Sequence, residues 1–315
     1  MPYKIPYHRP MITYKGSHML SNGDFVKCLE EMVRNYYDVE HVIACSSASI
    51  GLLIALQTII GERYHTIDAI ATPSFAWFSS AWALKTLDYN IKFIDINKTS
   101  WLMNESNSEI CMPLHTFGNV TIYNAPIVIY DAAHALGANI RDFGDATVFS
   151  LAPTKLVTSC EGGLIATNDG LLAESIRKLR DKVSRMSEPN AYRGIDTFRC
   201  LDEILEQKKT IYNYYKRNLV GIFQQVPYSS NYNTIGMLTD LKIPAHIECR
   251  KYYEPLDFSL PNTKFVYNKI VCLPSWYGVD YEQITEDINL YNESLNYGRL
   301  RVFGDSDRQA LRDRP

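Results

Sequence analysis

The stretch Ser150-Leu151-Ala152-Pro153-Thr154-Lys155, followed by Cys160-Glu161-Gly162-Gly163, decides how the rest of the chain is read. Residues 148–151 read as a short buried strand, and Pro153, which has no N–H to donate, stops it from continuing. Lys155 then leaves the strand end on a turn among uncharged residues. Burial disfavours the ammonium form, lowers the pKa and leaves part of the lysine as a free amine able to form a Schiff base with an aldehyde. Gly162 and Gly163 let the backbone pass close to something bulky before 164–167 resumes as a strand. The plainer alternative is a surface lysine in a hairpin, and the residues upstream decide between the two.

Immediately upstream, 127–130 is an apolar strand that ends on Asp131-Ala132-Ala133-His134-Ala135-Leu136-Gly137. A carboxylate placed directly after four apolar strand residues is costly unless a cationic partner meets it. Further back, 42–44 reads as a strand and 50–60 as a helix apolar nearly all round, hence buried. Ser46-Ser47-Ala48-Ser49 turns between them. Backbone N–H groups at a helix start, with short hydroxyls beside them, make an anion site; a simple Ser N-cap is the alternative. The strand at 67–72 ends on Pro73-Ser74-Phe75-Ala76-Trp77, where Trp77 serves either as a stacking platform for a flat ring or as core. A helix at 78–87, a strand at 91–94 and a strand-to-loop passage at 112–118 complete this half. Strands and helices alternate with short connections, which favours parallel pairing. The polar residues collect at strand carboxyl ends, where ligands sit in open α/β sheets.

A chain of 315 residues allows one large domain or a large one with a smaller companion. A net charge of -3 gives no electrostatic case for nucleic acid or an anionic membrane as partner. Seven scattered cysteines show neither metal-ligand spacing nor a disulfide framework, so no metal site is expected and a reducing cytosol fits. Met1-Pro2-Tyr3-Lys4-Ile5 lacks the apolar core of a signal peptide, consistent with a cytoplasmic location. The uncharged run 42–60 is long enough to score as a membrane span. Its Ser-rich start and its lack of aromatic or basic anchors argue for strand, turn and buried helix instead.

The remaining segments set the domain plan. Residues 1–20 read as irregular, and 25–37 as a helix with Phe25, Leu29, Met32, Val33 and Tyr36 at helical spacing. A helix at 170–182, a loop at 183–200 and a long amphipathic helix at about 201–223 follow. After Pro227 the texture changes to short strands, turns and a final helix near 281–294. The tail from Gly298 is rich in Arg and Asp with few apolar residues, which predicts disorder. The expected division is a large domain at 1–200, a small C-terminal α+β domain led by the long helix at 201–297, and a tail at 298–315.

A Ser-rich turn, an aromatic platform, a buried acid followed by His, and a lysine after a Ser are together what pyridoxal 5′-phosphate (PLP) needs. The same residues resemble the fold-type-I PLP-dependent aminotransferases that act on nucleotide-linked keto sugars, the DegT/StrS-type family. The resemblance runs collinearly from about Ile5 to Asn292. It rests on Asp131–Gly137, Ser150-x-x-Pro153-Thr154-Lys155 and Glu161-Gly162-Gly163, with support from 44–49, 73–77, Pro113-Leu114-His115-Thr116-Phe117-Gly118 and Arg250-x-x-Tyr253-x-Pro255-Leu256. It implies an α/β fold, with a mostly parallel sheet flanked by helices in the large domain and a small α+β domain behind it.

On that resemblance Lys155 forms the internal aldimine and then moves the proton, Asp131 pairs with the pyridine nitrogen, and His134 faces the ring's 3-hydroxyl side. Trp77 stacks on the ring, and the Ala48 and Ser49 N–H groups with the Ser150 hydroxyl hold the phosphate. Glu161, Arg250, Tyr253 and Trp276 are the candidates for the sugar side. L-glutamate would donate the amine, a pyridoxamine phosphate form would carry it, a nucleotide-linked keto sugar would accept it, and the enzyme would be a homodimer. Two alternatives differ in class. One is a sugar dehydratase, which in this family has His in place of the lysine; the other is a non-catalytic PLP-binding regulator or partner protein. The chain also departs from the family pattern. Ala48-Ser49 replaces Gly-Thr, Asp257 replaces a His, and a helix between Pro10 and Ser21 and part of the hairpin between Asp131 and Lys155 are missing. Asp196 stands near the place of an Asn that reaches the partner's phosphate, leaving Asn190 or Arg199 to substitute.

Overall fold

The computed structural model describes residues 21–61 and 68–310, with side chains through 295. The irregular N-terminal segment and the missing helix expected before Ser21 lie outside the described residues. The chain opens with α1 (Asp24–Tyr37), β1 (His41–Cys45), α2 (Ala48–Ile60), β2 (Ile70–Pro73), α3 (Phe78–Thr86) and β3 (Ile91–Ile94). It continues with β4 (Ile110–Cys111), β5 (Ile127–Asp131), β6 (Ala146–Ser150), β7 (Gly163–Thr167), α4 (Gly170–Val183), α5 (Glu188–Arg199) and α6 (Leu201–Asn218). The last part holds β8 (Ile222–Phe223), β9 (Ile235–Leu238), α7 (Pro261–Lys269), β10 (Ile270–Leu273) and α8 (Tyr281–Ala310).

Seven strands form one sheet in the order β1-β7-β6-β5-β4-β2-β3. The run from β6 to β3 is parallel, whereas β7 is antiparallel to both β6 and β1. Every residue of β5, β6 and β7 is buried, as the near-continuous apolar runs of a sheet covered on both faces require. On one face α2, apolar nearly all round, packs with Ile43, Ile129, Val148 and Ile165 of the strands. On the other face Val26, Leu29 and Val33 of α1 meet Phe149, Leu164 and Ala166.

This topology brings the carboxyl ends of β1, β2, β5 and β6 to one edge. There Ser150 pairs with Gly163, which pairs in turn with Cys45. A Cβ on Gly163 would lie 2.6 Å from the Ala48 nitrogen. The bulky neighbour anticipated for the Gly162-Gly163 pair is therefore the first turn of α2 at Gly163, and Ser159 and Met186 at Gly162. A second sheet, β10-β9-β8, is antiparallel. With Ile211 and Tyr215 of α6 and Ile284 and Ile288 of α8 it builds a core of its own.

Three expectations are corrected. Residues 188–199 are helical, not loop. Ser187 caps α5 by accepting from the Asn190 N–H at 3.4 Å, and Pro189 sits in the first turn, where no N–H is needed. The long helix ends at Asn218, because Ile222 and Phe223 leave it to pair with β9. The helix near 281–294 runs on to Ala310, through residues whose composition predicted disorder; extension from an already packed first half avoids the cost of nucleation.

Candidate active site

The sheet edge opens into a cavity of about 370 Å³ lined by Ala48, Ser49, Trp77, Asp131, His134, Ser150, Lys155, Glu161, Tyr253 and Trp276, among others. Of the residues expected to touch cofactor or sugar within one subunit, all are there except Arg250. That side chain is exposed, is absent from the lining, and pairs with Glu248 at 2.9 Å.

Each group owes its place to local structure. Ser47, in extended conformation, caps α2 by accepting from the Ile50 N–H at 3.3 Å. The N–H groups of Ala48 and Ser49 belong to the first helical turn, which has no intrahelical acceptors for them, and they stand at the cavity. Ser150, the last residue of β6, is 6% exposed and adjoins them across Gly163. Past Pro153, a turn closed by the Lys155 N–H donating to the Ala152 carbonyl at 3.0 Å carries the lysine into the cavity. Burial lowers its pKa to about 8, against the opposing pull of Asp131.

Asp131 is 3% exposed. Its Oδ2 accepts from the Ser80 hydroxyl at 2.6 Å and its Oδ1 from the Ala133 N–H at 3.1 Å. Burial nonetheless pushes its carboxyl above the usual range; the two hydrogen bonds and Lys155 offset this only in part. A ring N–H would supply the missing partner. His134 is kept neutral by burial and by the ammonium groups of Lys155 and Lys208, and its Nδ1 lies 3.0 Å from the Tyr253 hydroxyl. Trp77 is 50% exposed at the cavity, so one large aromatic surface stands free to cover a planar ring.

Helix-end N–H donors and a serine for a phosphate, a lysine of lowered pKa for an aldehyde, a buried carboxylate only partly compensated, and a half-exposed indole match PLP group by group. The residues present fit it.

Ser80 and Lys208 are among the residues of the site that escaped the sequence reading. Ser80 follows Trp77 by one turn, and its signal was only its place at the start of α3. Lys208 left a clearer trace, a lysine within the buried stripe Leu201, Ile204, Lys208, Ile211 and Tyr215 of α6. Asn190, Asp196 and Arg199 are not among the lining residues. Asn190 donates to the Glu161 carbonyl at 2.8 Å, and Asp196 pairs with Arg199 at 3.9 Å. Among the described residues no cluster of three or more His, Cys, Asp and Glu could hold a metal ion, and no helix is long and apolar enough to cross a membrane.

The profile of the DegT/DnrJ/EryC1/StrS aminotransferase family matches residues 11–236, and the chain belongs to that family. It is a PLP-dependent aminotransferase. Its relatives include the dTDP-4-amino-4,6-dideoxy-D-glucose transaminase of Shigella dysenteriae, 25% identical over 86% of this chain and 89% of that protein. The GDP-perosamine synthase of Caulobacter vibrioides is 26% identical over 65% of each chain. Among solved structures, Spr1654 of Streptococcus pneumoniae in its PLP form matches the fold with a TM-score of 0.80, at 16% identity, over 92% of this chain and 98% of that one. The dehydratase alternative is not favoured: the relatives bear transaminase and synthase names, and the lysine is present at position 155.

Proposed function

We propose that the protein moves the amine of L-glutamate onto the keto group of a nucleotide-linked sugar, with Lys155 as the base. The observation that carries this reading is the sharing of one cavity by a lysine of lowered pKa and a buried carboxylate whose desolvation is only partly offset. The names of the Shigella and Caulobacter relatives support a dTDP- or GDP-linked sugar as the acceptor class.

Bound in this cavity, PLP supplies an aldehyde for the amine and a sink for the electrons released when the neighbouring carbon loses its proton. Asp131 accepts from the ring N–H and keeps it protonated; the bond from Ser80 holds that carboxylate in place. Ala48, Ser49 and Ser150 donate to the phosphate, and Trp77 covers the ring. The Lys155 amine, once free, takes a proton from the carbon bearing the amine and returns it on the far side of the transfer. Neutral His134, fixed by Tyr253, donates to or accepts from the 3-oxygen without adding charge. Glu161 and Trp276, which line the cavity, are the proposed contacts to the substrate. The cytosol is the proposed location, in keeping with seven free cysteines.

The test supplies PLP, nitrogen-labelled L-glutamate and a keto sugar linked to dTDP, GDP or UDP. The label is expected in the sugar, with 2-oxoglutarate formed in equal amount, and neither with Lys155→Ala. Label that stays in glutamate with all three nucleotides contradicts the proposal.

A further inference from the structure

The cavity has a second wall, built from outside the large sheet. Ile204 and Lys208 come from α6, Asn233 and Thr234 precede β9, and Ser275 and Trp276 follow β10. Lys208 is 3% exposed, and its ammonium donates to the Asn233 carbonyl at 2.8 Å, the Ser275 carbonyl at 2.8 Å and the Ser275 hydroxyl at 2.7 Å. All three acceptors are neutral. A buried cation with no anionic partner carries a desolvation penalty that structure alone seldom justifies. Other apolar side chains on this stripe of α6 need no such compensation.

Ser275 shows what the arrangement does. Its Oγ accepts from Lys208, so its own hydrogen is left to donate, and the residue is 6% exposed at the cavity. The ammonium polarises that hydroxyl and makes it a stronger donor. The wall therefore offers a hydroxyl backed by the Lys208 amine, whose pKa burial lowers to about 7. An anion entering the cavity stabilises the charged form of the lysine in return.

Building on the proposed amine transfer, we infer that Lys208 and Ser275 recognise the carboxylate of the amine donor. A diphosphate spreads its charge over many oxygens and calls for several charge-backed donors; on this wall the hydroxyl bonded to the buried Lys208 is that of Ser275. A donor amino acid must also place its α-carbon at Lys155. Lys155, Lys208 and Ser275 line the same cavity, so a carboxylate held on this wall shares it with the reacting lysine.

The test compares native protein with Lys208→Met, which keeps length but not charge, and Ser275→Ala, which leaves Lys208 bonded to two carbonyls. Calorimetry on the PLP-loaded protein measures affinity for 2-oxoglutarate and, separately, for thymidine and guanosine diphosphates. Steady-state assays separate KM for L-glutamate from kcat. Lys208→Met is expected to weaken 2-oxoglutarate binding and raise that KM by about tenfold to a hundredfold, with nucleotide affinity and kcat little changed. Ser275→Ala should move both in the same direction by a smaller factor, and it decides the matter if Lys208→Met does not fold. Unchanged 2-oxoglutarate affinity and KM in the folded variants would overturn the inference, as would a loss confined to the nucleotides. Either result, obtained while the native enzyme still transfers amine, leaves the proposed function standing. A native protein that transfers no amine contradicts the proposed function itself.

Discussion

At the residue scale, burial governs both Lys155 and Asp131, and each only partly offsets it for the other. The lysine's pKa is lowered to about 8, so the folded protein holds part of it as free amine near neutrality. Lower pH protonates it, and the rate of PLP capture should rise with pH and level off above about 8; a midpoint near the ordinary lysine value of about 10.4 contradicts this. Asp131→Asn should still bind PLP while amine transfer falls by about a hundredfold or more, the scale seen when a positioned electrostatic partner is removed. Ser80→Ala, which takes away the bond to Asp131 Oδ2 at 2.6 Å, should slow transfer by a factor of about ten. Equal rates for native and Ser80→Ala proteins would show that the carboxylate needs no such support. Lys155 and Asp131 were legible in the sequence because polar residues break apolar strands there. Ser80 was not, since a serine in a helix's first turn has a capping role as its ordinary use.

At the scale of elements, the junction of α1 and α5 shows why residues 183–200 misled. Ser187, Pro189, Asn190 and Gly194 are the vocabulary of loops, yet Ser before Pro also begins a helix. Only the structure shows the role of Glu188, whose buried carboxylate accepts from the N–H groups of Gly23, Phe25 and Val26 at 2.7, 2.8 and 3.1 Å. It caps α1, whose own N-cap residue, Gly23, has no side chain to do so. No local pattern reveals a cap supplied from 165 residues away. Glu188→Ala should destabilise the fold by about 2–3 kcal/mol, read as a lower urea midpoint at unchanged slope. A midpoint equal to that of the native protein would mean that other groups satisfy those N–H donors.

For the whole molecule, the strand-helix alternation disclosed the α/β plan, and the collinear motifs disclosed the family. The antiparallel placement of β7 was hidden, because an apolar strand buried on both faces reads the same in either direction. We propose that a second copy of the chain covers an exposed aromatic surface that begins at the cavity. Trp77, Phe78 and Trp82 are 50%, 60% and 39% exposed, and Phe78 and Trp82 are one turn apart on α3. A homodimer is the expected state, with a mass by light scattering of about twice 36.1 kDa; a monomer at working concentration contradicts it.

The central claim, that Lys155 holds PLP in this cavity and passes amine through it, is tested most directly by the absorbance spectrum of the purified protein. A visible band on adding PLP, bleached by L-glutamate and absent in Lys155→Ala, is the predicted result. A folded native protein that gives no band, or a band that survives in Lys155→Ala, contradicts it.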